Sequence, residues 1–267
     1  MARQTGLPGR RALLAAAAAW AVPGALLAAA RPARASDLPG LIAVAKQSVL
    51  PVGTYSATGN PRFEFRGSGF VIGDGNLVAT NFHVLADGAE AESGPQMVAL
   101  GPRVGNEAQV RRARVVATDR NRDLALLQID GPPLPALVLA EAGTAREGQG
   151  IALIGFPIGG TLGFAPVTHR GIVASITTVA LQAPTARQLD PRAVSQLRRG
   201  NFEVLQLDAV AYPGNSGGPL LDAETGQVLG IVNMVLVKST RESALSSPTG
   251  ITYAVPVAML RELLSQR

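Results

Sequence analysis

The apolar positions of this chain change period once, and the change divides it. Over residues 38–50, Leu41, Ile42, Val44, Ala45 and Val49 recur at helical spacing, and Pro51 follows as a stop, which predicts a short amphipathic helix. Beyond Pro51 the period falls to two. Phe63 and Phe65 lead into Gly69-Phe70-Val71-Ile72 as one strand. Gly73-Asp74-Gly75-Asn76 supplies residues that accept positive φ, and Leu77-Val78-Ala79-Thr80 returns as the second arm of a hairpin. Residues 97–100, 113–118 and 124–130 continue the row. It is interrupted by Gly131-Pro132-Pro133-Leu134-Pro135, which reads as an interdomain linker. A second row of strands is expected at 151–156, 171–179, 204–208, 219–221, 228–237 and 251–255, and a helix at 257–266 presents Val257, Leu260, Leu263 and Leu264 on one face. Short strands and frequent turns argue for barrels or sandwiches. Residues 183–200, with four arginines and little strand character, read as a long surface loop over the second half.

Composition and charge sharpen this picture. With 47% hydrophobic and 16% charged residues, the 267-residue chain can bury a core, and it is not of the disordered class. The absence of cysteine excludes disulfides, thiolate catalysis and cysteine-ligated metals, and two histidines leave little room for a histidine-built metal site. No metal or cofactor is expected. The net charge of +5 points toward nucleic acid until it is located. Five arginines, Arg3, Arg10, Arg11, Arg31 and Arg34, precede the first acidic residue, Asp37; without residues 1–35 the chain carries 19 basic and 19 acidic groups. The basic excess therefore belongs to the leader and gives no support to nucleic-acid binding. That leader has Arg10-Arg11, an apolar stretch over 12–30 and Ala33-Arg34-Ala35, the plan of a bacterial export signal cleaved after Ala35. It predicts a periplasmic or secreted product, by the Sec or the twin-arginine route, with no membrane attachment after cleavage.

The stretch Pro213-Gly214-Asn215-Ser216-Gly217-Gly218-Pro219 is the strongest candidate for chemistry. A serine hydroxyl needs a base to take its proton, and the oxyanion formed on attack needs waiting donors. Glycines around Ser216 let the backbone turn so that amides of Gly214, Asn215 and Ser216 gather at one spot, with Gly214 and Ser216 the natural pair. The base must be one of two histidines. His83, in Thr80-Asn81-Phe82-His83-Val84, sits just beyond a strand, where a side chain projects from a barrel rim; His169 reads as a structural histidine at a strand start. The orienting carboxylate is Asp123, at the start of the apolar strand Leu124-Ala125-Leu126-Leu127, with Asp119 as its rival.

These three stretches, with Gly67-Ser68-Gly69-Phe70, Ile154-Gly155-Phe156-Pro157 and Gly230-Ile231-Val232-Asn233, resemble the trypsin-like serine proteases, and more narrowly their bacterial HtrA-like branch, over roughly residues 41–264. The resemblance implies an all-β fold of two six-stranded antiparallel β-barrels with a short C-terminal helix and a cleft between the barrels. It implies a serine endopeptidase with His83 as general base, Asp123 as its orienting partner and Ser216 as nucleophile. Asn215 stands where the digestive enzymes carry an aspartate that pairs with a new N-terminus, so activation by zymogen cleavage is not implied. HtrA proteins usually continue into PDZ modules; the sequence ends at Arg267, so capture of substrates by a PDZ module is not carried over. The domain reading is a leader over 1–35, a first barrel with its helix over 36–130, a connection over 131–150 and a second barrel with its helix over 151–267.

Val210 stands six residues before the serine, where trypsin-type enzymes place a carboxylate for basic substrates, and Ile231, Val232 and Asn233 are expected on the opposite wall. An apolar substrate pocket follows, with cleavage after small or medium aliphatic residues of unfolded polypeptides, because burying a substrate lysine there without a counter-charge costs several kcal/mol. The sequence leaves the oligomeric state open. Two rival functions fit parts of the sequence. An α/β-hydrolase fails because no histidine follows Ser216. A catalytically silent, chaperone-like peptide binder on the same fold keeps every side chain and differs only in activity.

Overall fold

The computed structural model describes residues 37–89, 91, 95–104, 107–159, 163–178, 202–233 and 251–267. The leader and the arginine-rich segment 183–200 lie outside them. The first helix, α1 (Leu38–Ala45), opens on Asp37, whose carboxylate accepts from the Gly40 amide at 3.1 Å, with Pro39 in the first turn. It ends at Ala45, earlier than the sequence period predicts. A single 3-10 turn (Lys46–Ser48) follows, and Pro51 lies inside strand β1 (Val49–Tyr55) rather than terminating a helix. The reason is tertiary. Leu50 and Val52 are buried in the first barrel, and pairing of β1 with its second neighbour begins only at Val52, so no ladder bond is demanded of the proline on that side.

Strands β2 (Phe63–Ile72), β3 (Leu77–Thr80), β4 (Met97–Val104), β5 (Glu107–Asp119) and β6 (Leu124–Ile129) join β1 in a closed antiparallel barrel of order β1-β2-β3-β6-β5-β4. The β2–β3 hairpin pairs Phe70 with Ala79 and Ile72 with Leu77, and its turn uses Gly73 and Gly75 at φ 65° and 95°. Strand β5 is longer than its apolar stretch, because its first residues are an edge arm paired to β4 and hold few core positions. Inside pack Leu50, Val52, Val71, Val78, Ala99, Leu127 and Ile129. The second barrel, of order β10-β11-β12-β9-β8-β7, is built from β7 (Gly150–Gly155), β8 (Val167–Thr178), β9 (Glu203–Asp208), β10 (Pro219–Asp222), β11 (Val228–Asn233) and β12 (Ile251–Pro256). Its interior holds Ile151, Leu153, Val173, Leu207, Leu220, Val232 and Ala254. The expected all-β fold of two closed six-stranded barrels is thereby borne out.

A third apolar cluster joins the barrels. Phe70, Ile72, Leu124 and Leu126 from the first pack with Ile154, Phe156, Leu221 and Ile231 from the second. The C-terminal helix α2 (Val257–Ser265) adds Met259, Leu260 and Leu263. Truncating one such fully buried side chain to alanine costs about 2–5 kcal/mol. The proline-rich connection is bound to both sides rather than strung between them. Leu137 donates to the Val71 carbonyl at 2.8 Å, Ala140 donates to Val228 at 3.0 Å, and the Arg261 guanidinium of α2 donates to the carbonyls of Leu139 and Ala140. Among the described residues no helix is long and apolar enough to cross a membrane.

Candidate active site

The β5–β6 connection is wired for one carboxylate. Asp119 accepts from the amides of Asn121 and Arg122 at 3.0 and 3.1 Å, closing a turn with its own side chain. Asp119 is thus spent locally. Asp123 then takes a left-handed conformation, φ 57°, a region that aspartate tolerates better than most side chains. Its carbonyl accepts from Phe82 N–H at 3.1 Å and from the Asn81 side-chain amide at 2.9 Å. Its carboxylate accepts from His83 N–H at 2.8 Å through Oδ1, and Oδ2 lies 2.6 Å from His83 Nδ1. A carboxylate only accepts, so in the neutral ring Nδ1 carries the proton and Nε2 keeps its lone pair. His83 itself sits in a 3-10 turn (Phe82–Val84). Arg66 of β2 holds that turn from behind, donating through Nε and a terminal nitrogen to the carbonyls of Val84 and Leu85, both at 2.9 Å. The Phe82 ring lies under the Arg120 guanidinium at 4.7 Å.

The serine turn is built differently, from backbone. Pro213 accepts from Ile158 N–H at 2.7 Å, Gly218 donates to Asn215 at 3.0 Å, and Gly217 donates to the Val232 carbonyl of β11 at 3.0 Å. Because C=O and N–H oppose each other in a trans peptide, the bond from Ile158 to Pro213 turns Gly214 N–H away from the 156–159 segment. Ser68 Oγ donates to the Gly214 carbonyl at 2.6 Å and accepts from Phe156 N–H at 3.1 Å. Among the described residues, the N–H groups of Gly214 and Ser216 donate to no acceptor. The Asn215 side chain is fully buried, and neither of its amide atoms has a hydrogen-bond partner there.

The two halves meet along the end of β2. Ser68 N–H donates to the Ser216 carbonyl at 2.8 Å. A methyl group on Gly67 would lie 2.6 Å from a Val84 methyl and 3.0 Å from the Ser216 carbonyl, and one on Gly217 would strike the Ser68 carbonyl and the Thr80 hydroxyl. The Ser216 carbonyl and the Val84 side chain of the His83 turn thus flank the same residue of β2, Gly67. No hydrogen bond joins the Ser216 hydroxyl to the His83 ring among the described residues.

The residues expected to wall the pocket separate. Val210 is 36% exposed, whereas Ile231 and Val232 are fully buried among the core side chains. Asn233 is 2% exposed and donates through Nδ2 to Asp123 Oδ2 at 2.8 Å, so its amide serves the carboxylate from the second barrel. This contact, spanning the two barrels, had no signal in the local sequence, nor had the support given by Asn81, Arg66 and Ser68. His169 lies on β8, opposite Leu153, with its ring 5.8 Å from that of Tyr212 and Nε2 buried with no hydrogen-bond partner among the described residues. Burial pushes its pKa below the usual imidazole range. It takes no part in the His83–Asp123 pair.

Two closed antiparallel barrels, with a histidine–carboxylate pair on the first and a serine turn of open amides on the second, make the architecture that of the trypsin class. The model of the trypsin-like peptidase domain matches residues 67–231, more than half of the chain, and the chain belongs to that family. A probable periplasmic serine endoprotease, DegP-like, of Pseudomonas fluorescens is 30% identical over 200 residues, which cover 75% of this chain and 34% of that protein. A protein of the same description from Chlamydia trachomatis is 31% identical over 202 residues, covering 75% and 33%. The chain thus spans about a third of the length of the curated relatives it matches. Among solved structures, the HtrA-type protease AlgW with tripeptide superposes with a TM-score of 0.61 at 24% identity, covering 85% of this chain and 62% of that one. The serine endoprotease from Yersinia pestis gives 0.58 at 23%, covering 87% and 66%. At these identities the superpositions carry the fold. The resemblance to the HtrA-like branch read from the motifs is borne out.

Proposed function

We propose that the chain is an exported serine endopeptidase that acts through an acyl-enzyme. Ser216 Oγ attacks the scissile carbonyl while His83 Nε2 takes its proton, and Asp123 holds the imidazole in the required tautomer and stabilises the imidazolium. The oxyanion is received by the amides of Gly214 and Ser216, with Asn215 completing the turn between them. The C–N bond then breaks as His83 passes the proton to the leaving amine. A water attacks the ester by the same route, and Ser216 is restored. The observation that carries this reading is the Asp123–His83 contact of 2.6 Å standing one strand from a serine turn with two unengaged amides.

The segment from Ala209 to Gly214 carries no charge and exposes Val210, which supports cleavage after small or medium aliphatic residues in unfolded polypeptides. Residues 1–35 serve as the export signal, and the relatives named periplasmic support that destination. The lack of a hydrogen bond between Ser216 and His83 favours a second reading, a peptide binder without activity, although catalytic hydrogen bonds often tighten only when substrate is bound. A fluorophosphonate probe separates the two. Labelling of the full chain, abolished in Ser216→Ala with an unchanged melting temperature, is expected. A wild-type chain that stays unlabelled even in the presence of unfolded casein sinks the endopeptidase and leaves the binder.

A further inference from the structure

The serine turn rests on an aromatic ring from the other barrel. Phe65 of β2 presents one edge to two glycines that both have positive φ, Gly159 at 62° and Gly214 at 104°. A methyl group on Gly159 would lie 2.9 Å from Phe65 Cδ1, and one on Gly214 would lie 3.1 Å from Cε1 of the same ring. The Cδ1–Cε1 edge thus closes off the space behind Gly159 and, beside the nearer Phe156 carbonyl, flanks that behind Gly214. The two glycines flank the bond from Ile158 N–H to the Pro213 carbonyl, which sets the direction of Gly214 N–H. The ring is itself held. Phe164, just before β8, lies 5.7 Å from it, and Phe156 stands edge-on at 6.5 Å. Next along β2, Arg66 holds the carbonyls of the His83 turn, so adjacent side chains of one strand support the two halves of the site.

We infer that Phe65 is a positioning residue for the Gly214 oxyanion donor: its ring keeps the Pro213–Gly214 peptide from rotating and the 156–159 segment from drawing away. The inference rests on the endopeptidase reading and deepens it. Without the ring, the space behind Gly159 opens and Gly214 is backed by the Phe156 carbonyl alone, and glycine has no side chain to resist a change of φ. A displacement of about 1 Å at such a donor costs on the order of 10²-fold in rate.

The test compares wild type, Phe65→Ala, Phe65→Leu and Phe63→Ala in the full chain. Phe63 packs against Phe164 at 5.3 Å but is not among the atoms nearest either glycine, so it reports loss of aromatic packing alone. Two probes are used: the rate of fluorophosphonate labelling, and the inhibition constants of a leucyl-valine peptide aldehyde and of the matching alcohol. The aldehyde forms a tetrahedral adduct whose oxygen occupies the oxyanion site; the alcohol binds without one. Phe65→Ala is expected to slow labelling by roughly 10- to 100-fold and to weaken the aldehyde in proportion, with the alcohol unchanged. Phe65→Leu, which fills only part of the ring's space, is expected to show a smaller loss of the same kind, roughly 3- to 10-fold in labelling and in aldehyde binding with the alcohol unchanged, and Phe63→Ala to match wild type. Equal weakening of aldehyde and alcohol, or a Phe63→Ala defect as large as that of Phe65→Ala, overturns the inference and leaves the endopeptidase in place. Should Phe65→Ala not fold, a Phe65→Leu chain with the wild-type ratio of aldehyde to alcohol binding overturns it as well. A wild-type chain that does not label removes the endopeptidase reading and this inference together.

Discussion

The two halves of the site are held by different means. In the first barrel, Asp123 is pinned by side chains: Asn81, His83 and, from the far barrel, Asn233 all engage it, and Arg66 secures the turn beyond. In the second, the Ser216 turn is secured almost wholly by backbone bonds and by glycines packed where a methyl group would not fit. An acid–base pair needs particular atoms at hydrogen-bonding distance, which only side chains supply. A donor pair for an oxyanion needs free N–H groups in one direction, which only a constrained main chain supplies. The first half should therefore fail chemically when one atom is changed, and the second sterically when one is added.

Asp123→Asn is the sharpest probe of the side-chain half. Asparagine tolerates φ 57° as well as aspartate does, so the turn should fold, and the defect should lie in the tautomer of His83. A fall of about 10⁴-fold in kcat is expected, with a melting temperature near that of wild type. A loss of only a few-fold would mean that Asp123 does not orient the base. Gly217→Ala probes the backbone half. Its φ of 84° and the Ser68 carbonyl leave no place for a methyl group, so a loss of about 2–4 kcal/mol in stability should accompany the loss of labelling. Chemical denaturation reads the first effect and the fluorophosphonate the second; activity lost without destabilisation would break the contrast. The smallest effect belongs to His169→Phe. Burial lowers the pKa of His169 in the folded chain, so the unfolded chain binds its proton more readily. Stability is therefore lost as the pH falls below the unfolded value of about 6.5. The phenylalanine variant should lose less stability than wild type between neutral and mildly acidic pH.

Period-two stretches, turn glycines and the cluster around Ser216 were readable because each is a local property: alternation reflects one buried face, and a positive φ selects glycine within a few residues. The resemblance of the motifs supplied the architecture. Local reading erred at Pro51, where helical spacing carried on into residues that the barrel claims for β1. The sequence also groups Asn233 with Ile231 and Val232 as pocket residues, and the structure gives the three different surroundings. Nothing near Asn233 in the chain announces that its amide crosses to Asp123, or that Ile231 and Val232 turn into the core. Asp119 and Asp123, four positions apart, likewise look alike in the sequence, and only the folded chain has one cap its own turn and the other lie beside an imidazole. Residue types and their order thus specify which chemistry is available and which strands form. Which atoms share one cleft depends on closing two barrels against a common apolar seam, a long-range event that no window of neighbouring residues contains.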